Sequence, residues 1–129
     1  MCQCSNVPMC QLKKGNWFIV LLFSLVIISC KKEDKKYSVL YKIAVYGTTA
    51  GYTVRYTLPN GNTKSQGPLT AQSWNSTTLE GYPKSTPVRF ELESGGGSYH
   101  MSILINGALD SERDAGGGGT QSLETHTPN

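Results

Sequence analysis

The sequence predicts an all-β fold, a small antiparallel β-sandwich of about seven strands. Three observations lead to this expectation. Apolar and polar side chains alternate with a period of two in several segments after residue 37, as in half-buried strands. Asn-Gly pairs, which tolerate the positive φ of tight hairpin turns, follow two of these segments. No window after Cys30 repeats apolar residues at helical spacing.

Four segments alternate most clearly, and we expect their inward-facing residues to form the core. The inward rows are Tyr37, Val39, Tyr41, Ile43 and Val45; Tyr52, Val54, Tyr56 and Leu58; Val88, Phe90 and Leu92; and Tyr99, Met101, Ile103 and Ile105. Asn60-Gly61 and Asn106-Gly107 predict hairpin turns after the second and fourth rows. An open barrel is the alternative architecture for the same strands.

Weaker signals complete the domain. Segments 63–66, 74–79 and 120–125 predict further strands, the second of them rich in Asn, Ser and Thr. The glycine run at 116–119 predicts a flexible loop, because four glycines lose much conformational entropy on ordering. The residues after 125 are expected to be frayed.

The residues before the predicted strands are organised like a bacterial lipoprotein signal. Two lysines, at 13 and 14, precede an apolar run at 17–28, which has signal-peptide length and is short for a permanent transmembrane helix. The tetrapeptide at the end of this run resembles a lipobox, whose small third residue leaves room for cleavage and whose thiol takes a lipid. It consists of Ile27, Ile28, Ser29 and Cys30.

The sequence therefore predicts three parts. They are a signal peptide at 1–29, the lipidated Cys30 with a charged tether up to residue 36, and one β-sandwich domain at 37–129 with a loose tail. Met9 is an alternative translation start that would give the signal a more ordinary length. The only cofactor expected is the covalent lipid on Cys30.

Charge and cysteine content exclude some classes of function. The whole chain has 129 residues and a formal net charge of +3, but ten basic and nine acidic side chains follow Cys30. The basic residues form no stripe interleaved with aromatics, so nucleic acid is not an expected partner. No cysteine follows Cys30, which excludes an internal disulfide and a thiolate metal site from the predicted domain.

Three strand-and-turn segments are similar to parts of a known domain. They are 41–47, 52–56 with the turn Asn60-Gly61, and 103–107. They resemble the small β-sandwich of MmpS-type membrane-anchored proteins, and similar domains occur in short lipoproteins of Bacteroidota. The resemblance implies an Ig-like sandwich outside the membrane, in a family of which some members are accessory to large export transporters. This chain departs from the family by having a lipobox in place of a transmembrane anchor and by lacking an extracytoplasmic cysteine pair.

The tether carries a second resemblance. The acidic pair Glu33-Asp34 resembles the tag that sends Bacteroidota lipoproteins to the cell surface, although two lysines precede it here. The residue after Cys30 is Lys31 and not the aspartate that retains lipoproteins in the inner membrane of enterobacteria. Together these features imply an outer-membrane lipoprotein, exposed at the cell surface.

Carboxylates offer two candidate sites. Glu91 and Glu93 face the same side of one predicted strand, at a spacing that glycosidases could use. Because both would share one wet face with Arg89, a solvated face is the favoured interpretation. A second acidic group alternates beside the glycine run and could bind Ca²⁺, although a charged strand edge that discourages aggregation is favoured. This group consists of Asp110, Glu112 and Asp114.

The histidines and aromatics are the remaining candidates. His100 and His126 are expected to lie on the surface without a partner at metal-ligand spacing, so no metal is expected. Trp74, Tyr82 and Tyr99 could form an aromatic platform for a sugar or peptide, but such residues more often fill the core of a small sandwich.

These observations favour a non-enzymatic, lipid-anchored binding or accessory module of the outer membrane. Its expected partners are the membrane, through the lipid, and an envelope protein, a transporter or a glycan. One alternative is an accessory subunit of an envelope export transporter, as the MmpS-type resemblance implies. The other is a small glycan hydrolase that uses Glu91 and Glu93.

Overall fold

Residues 33–129 are described by the computed structural model, and they form nine β-strands. The predicted signal peptide, Cys30 and the first two tether residues lie outside the described range. No helix within that range is long and apolar enough to cross a membrane. The strands are β1 (Tyr37–Tyr46), β2 (Tyr52–Thr57), β3 (Thr63–Leu69), β4 (Ser73–Asn75), β5 (Leu79–Tyr82), β6 (Pro87–Ser94), β7 (Ser98–Ile105), β8 (Ala108–Gly116) and β9 (Gly119–His126).

The strands form two sheets in which every pair is antiparallel. In the first sheet β1 pairs with β7, and β7 pairs with β8, while the short strands β4 and β5 share the other edge of β1. The second sheet has the order β3-β2-β6-β9. The all-β antiparallel sandwich predicted from the sequence is confirmed, with nine strands instead of about seven.

The alternation of side chains decides what lies between the sheets. Every second residue of β1, from Tyr37 to Val45, is buried, and the predicted inward rows of β6 and β7 are buried as well. Leu58 is the member of the predicted rows that is only partly buried, at the margin of the core. The buried apolar residues are Tyr37, Val39, Tyr41, Ile43, Val45, Tyr52, Val54, Tyr56, Trp74, Tyr82, Val88, Phe90, Leu92, Tyr99, Met101, Ile103, Ile105, Ala115 and Leu123.

Tyrosine is prominent in this core, and its hydroxyl groups need hydrogen-bond partners when buried. Tyr41 donates to the carbonyl of Thr57 at 2.8 Å, and Tyr52 donates to the carbonyl of Ala71 at 3.0 Å. Burial raises the pKa of Tyr41, which keeps the hydroxyl protonated and able to donate. Because the two acceptors lie where strands end, these tyrosines join the core to the loops.

Antiparallel order places the turns at two ends of the sandwich. We call the end at which β1 begins the proximal end and the opposite end the distal end. The proximal turns are 58–62, 83–86 and 106–107, and the distal turns are 47–51, 70–72, 95–97 and 117–118. A backbone hydrogen bond of 3.1 Å from the N–H of Gly117 to the carbonyl of Gly97 joins two of the distal turns.

The predicted strand at 74–79 is wrong, because the structure divides it into β4 and β5. Ser76 lies between them and is buried. Its side-chain hydroxyl takes the place of a backbone carbonyl in the hydrogen bonding to β1. Its Oγ accepts from the N–H of Tyr41 at 3.1 Å, while its own N–H donates to the carbonyl of Tyr41 at 2.9 Å. The serine hydroxyl thus replaces one backbone acceptor, and the chain can bend there without leaving a buried donor unpaired.

Two predictions about flexible segments are also wrong. The glycine run is a short turn at 117–118, because Gly116 belongs to β8 and Gly119 to β9. The tail is held in place after β9, since Thr127 is only 2% exposed. The hydroxyl of Thr127 donates to the carbonyl of Pro83 at 2.6 Å and accepts from the N–H of Thr86 at 2.8 Å.

Candidate functional site

The predicted lipidation site lies outside the described residues. Its residues are Ile27, Ile28, Ser29 and Cys30. The lipid anchor therefore stays a prediction from the sequence, and the structure bears only on the domain that follows it.

The three aromatic residues considered for a binding platform are buried in the core. Tyr82 and Tyr99 are 0% and 1% exposed, and Trp74 is 9% exposed. The indole of Trp74 stacks on Phe90, with 6.1 Å between ring centroids and 29° between planes. Tyr99 meets the edge of Tyr52 at 5.6 Å. These rings hold the two sheets together and leave no exposed face for a ligand.

The paired carboxylates lie on the outer face of the second sheet, each beside an arginine. Arg89 binds Glu91 at 2.8 Å and reaches Glu124 on β9 at 3.0 Å, while Arg55 on β2 binds Glu93 at 2.9 Å. Catalytic carboxylate pairs work in two different environments, one that favours the protonated acid and one that favours the anion. Glu91 and Glu93, 20% and 52% exposed, instead lie on one charged face and are each held by an arginine. A shared face with Arg89 is the arrangement favoured from the sequence.

His100 lies on the outer face of the first sheet, as predicted, but it is not without partners. Its Nδ1 lies 2.8 Å from Oδ1 of Asp114, and its Nε2 lies 3.3 Å from Oε2 of Glu112. The hydrogen bond to Asp114 raises the pKa of His100, because both carboxylates favour the imidazolium, which can donate from both nitrogens. Within residues 33–129 no group of histidine, cysteine or acidic side chains has an arrangement that could hold a metal ion.

The acidic row considered for Ca²⁺ does not lie on one face. The register between β7 and β8 shifts near Leu104, so that Ser111 pairs with Ile103 and Leu109 pairs with Leu104. Asp110 falls in the resulting bulge, and its carboxylate accepts from the hydroxyl of Thr125 on β9 at 2.6 Å. The bulge therefore turns Asp110 toward the second sheet and away from the two carboxylates that bind His100.

A different aromatic residue is exposed at the distal end. Tyr46 ends β1 on the outer face of the first sheet and is 59% exposed. Ser98 pairs directly with Tyr46, and Gly116 pairs directly with Ser98, so that the ring stands beside two small residues on adjacent strands. A shallow depression of about 440 Å³ is lined here by Tyr46, Ser98, Tyr99, Asp114, Ala115 and Gly116.

The next row of the same face has one small and two polar residues, Ala44, His100 and Asp114, in register on β1, β7 and β8. We call these two rows together the distal ledge. It consists of Tyr46, Ser98, Gly116, Ala44, His100 and Asp114. The distal ledge thus combines one exposed aromatic ring, a hydroxyl, and a carboxylate that is held by an imidazole.

The distal ledge rests on a braced part of the fold. Below it the hydroxyl of Tyr99 donates to the carbonyl of Gly96 at 2.6 Å and lies 2.5 Å from Oγ1 of Thr49. The N–H of Val45 donates to the carbonyl of Gln72 at 2.8 Å, which fixes the chain directly before Tyr46. These contacts tie three of the four distal turns to the first sheet and fix the backbone beneath the ledge.

Tyr46 was not among the candidates from the sequence, although its signal is present there. The inward row of β1 runs through Tyr37, Tyr41 and Val45, and a residue one position later must face outward. An aromatic residue in the outward phase of a strand is the feature that could have identified it.

No protein-family model matches this sequence, and a comparison with curated proteins finds no significant relative. Function therefore has to be inferred from the residues of the sandwich and from the signal peptide that the sequence predicts before them.

Proposed function

We propose that this chain is a lipid-anchored lipoprotein of the outer membrane whose β-sandwich acts as a non-enzymatic binding module, with the distal ledge as its binding surface. The observation that carries this proposal is the exposed ring of Tyr46 in the same row as Ser98 and the side-chain-free Gly116. A tyrosine ring combines an apolar face with a polar hydroxyl, and aromatic residues are enriched where proteins bind partners.

The course of the chain agrees with this role. An anchor at Cys30 would lead through a short charged tether to Tyr37, where β1 begins at the proximal end. The ten residues of β1 separate Tyr37 from Tyr46 by roughly 30 Å. The distal ledge therefore lies at the opposite end of the domain from the point where the tether enters.

The described carboxylates and histidine favour binding over catalysis. Glu91 and Glu93 are engaged by arginines on an open sheet face, and His100 is engaged at both nitrogens by Asp114 and Glu112. A general base needs a free position within reach of a substrate proton in a pocket that excludes water. The distal ledge is a shallow surface with a single ring, which suits recognition of a ligand.

The anchor is tested by changing Cys30 to Ser in the full-length protein expressed in its host. We expect the wild-type chain to take up radiolabelled palmitate and to sediment with outer membranes, and the Cys30→Ser chain to do neither. The matched control is Ser38→Ala, which leaves the signal unchanged and should behave like wild type. Lipid labelling that persists in the Cys30→Ser chain would contradict the lipobox assignment.

The binding role is tested with the wild-type chain, purified in detergent and screened against envelope glycans, envelope proteins and transporter subunits. Saturable binding to one class, weakened by Tyr46→Ala, is the expected result. Co-purification with a transporter, unaffected by Tyr46→Ala, would favour the accessory-subunit alternative over this proposal. Turnover of a glycan that is lost in Glu91→Gln would favour the hydrolase.

A further inference from the structure

We infer that the distal ledge is a saccharide-binding site, in which a pyranose ring stacks on Tyr46 while its hydroxyl groups bond to Asp114 and Ser98. The inference rests on the proposed function, since it names the class of ligand that the binding module takes. It follows from three parts of the ledge: the ring of Tyr46, which we call the wall; the polar groups of Asp114 and Ser98; and the open space at Gly116, which we call the floor.

The wall is the phenol ring of Tyr46. A pyranose presents one face of C–H groups with partial positive charge, and an aromatic face is electronegative, so the two surfaces attract one another. Tyr46 is 59% exposed, and the backbone on which it stands is fixed by its pairing with Ser98. A tyrosine has few rotatable bonds, so that little conformational entropy is lost when a ligand immobilises it.

The polar groups lie across the ledge from the ring. Asp114 is on the second strand from β1, which places it roughly 10 Å away across the sheet and one row closer to the proximal end. Its Oδ1 is bound by His100, which orients the carboxylate, and the carboxylate carries a second oxygen that can accept from sugar hydroxyls. Ser98, between Tyr46 and Gly116, adds a group that can donate or accept.

The floor is open because Gly116 has no side chain. Its φ lies outside the left-handed range, and a Cβ built on it would meet nothing within 4 Å. Neither backbone strain nor packing therefore calls for glycine at this position of β8. Without a side chain at position 116, the shallow depression of about 440 Å³ that Tyr46, Ser98 and Asp114 also line stays open on this side.

The same features disfavour a protein partner. A stable protein interface buries about 800 Å² on each side and centres on several apolar anchors. The other large apolar residue exposed in the described chain, Leu109, is on the same face but at the proximal end, so it does not extend the ledge. The ledge also has no lysine or arginine among its six residues, which disfavours phosphorylated and other anionic ligands.

The test uses full-length protein in a detergent without sugar headgroups, such as lauryldimethylamine oxide, and isothermal titration calorimetry. The probes are neutral cello-, xylo-, malto-, manno- and chito-oligosaccharides. We expect at least one of them to bind, with a dissociation constant between roughly 10 μM and 1 mM, as for a shallow site with one stacking ring.

Four variants separate the parts of the site. Tyr46→Ala should weaken binding about tenfold, and Tyr46→Phe, which keeps the ring, should stay within about twofold. Gly116→Thr should abolish binding because its side chain fills the floor, while circular dichroism remains that of the wild type. Leu109→Ala, which removes the other exposed apolar side chain of this face, should leave the affinity unchanged.

Two results would overturn the saccharide site. One is that no oligosaccharide of the panel binds, and the other is that a bound one is unaffected by both Tyr46→Ala and Gly116→Thr. The binding module itself is judged separately, by photo-crosslinking from position 46 in living cells. Crosslinks to one envelope protein, with no saccharide bound, would remove the saccharide and keep the module, whereas absence of both would remove both.

Discussion

The C-terminal residues after β9 provide a sharp test of how this sandwich is held together. Thr127 is 2% exposed and bonds to the turn at 83–86 through both side chain and backbone. Its hydroxyl bonds to Pro83 and Thr86, and its N–H donates to the carbonyl of Thr86 at 3.0 Å. Its carbonyl accepts from the N–H of Ser85 at 3.1 Å. Thr127→Val keeps the shape and these two backbone bonds but removes both side-chain hydrogen bonds.

The expected loss of stability follows from those two bonds. Each contributes roughly 0.5–1.5 kcal/mol, and the N–H of Thr86 would be left without its partner in a partly buried position. Thr127→Val should therefore lower the free energy of unfolding by about 2–3 kcal/mol. For a domain of this size that corresponds to a fall in Tm of roughly 10–20 °C. Thr127→Ser keeps the hydroxyl and loses one methyl group, so it should cost only about 1 kcal/mol.

The assay is urea denaturation of a chain that starts at residue 31. Trp74 is the only tryptophan in that segment and is 9% exposed, so its fluorescence reports unfolding of the core. Both variants should lower the midpoint without changing the slope, because the native fold is kept. A loss below about 0.5 kcal/mol for Thr127→Val, or equal losses for the Val and Ser variants, would refute the assignment of this stability to the hydroxyl.

Two further predictions concern stability. Gly67→Ala should lower the free energy of unfolding in urea by about 1–3 kcal/mol, because a Cβ there would lie 2.6 Å from Oγ1 and 2.9 Å from Cα of Thr53. Gly116→Ala is the control: its Cβ would meet open space, so the urea midpoint should change little. The hydrogen bond to Asp114 raises the pKa of His100. The amount that protonated His100 adds to the free energy of unfolding is therefore complete below about pH 6.5 and is lost as the pH rises through the raised pKa. The urea midpoint should therefore fall between pH 6 and pH 8.5 in the wild type by more than in His100→Gln, and equal falls would contradict the coupling.

The main strands could be predicted from the sequence because their alternation is unbroken. In β1 the residues from Tyr37 to Val45 repeat with a strict period of two, and β6 and the inward row of β7 do the same. Once one residue of such a strand is assigned to the core, the faces of all its other side chains follow, since successive residues must point to opposite faces. The assignment of these rows to the core is confirmed.

Several departures from the predicted fold depend on pairings that a local sequence pattern does not describe. Ser76 divides a strand because its hydroxyl finds the N–H of Tyr41, and the tail is ordered because Thr127 finds the 83–86 turn. Asp110 leaves its row because a bulge in β8 shifts the register. Local propensity contains no information about these partners. The strand at 74–79, the acidic row at 110–114 and the frayed tail could therefore be assigned only from their local pattern, and each assignment was wrong.

The candidate site was predictable in part. Tyr46 could have been found from the phase of β1, because it follows the inward Val45 by one position. Gly116 could not, since a glycine within a run of four indicates a loop until the pairing with Ser98 places it in β8. The open floor of the distal ledge thus depends on register, which the sequence does not specify for a strand with few apolar residues.

Strand phase gives the same residue type two roles in this protein. Tyr37 and Tyr41 are an even number of positions apart on β1 and both lie in the core, whereas Tyr46 follows Tyr41 by an odd number and faces solvent. The inward rings support the sheets, and the outward ring is exposed at the ledge that we propose as the binding surface. Composition alone, with seven tyrosines in the chain, cannot distinguish these roles. The position of an aromatic residue relative to the inward row therefore separates a candidate binding residue from a structural one. Mutagenesis of the site should start with Tyr46, because Trp74, Tyr82 and Tyr99 lie in the core.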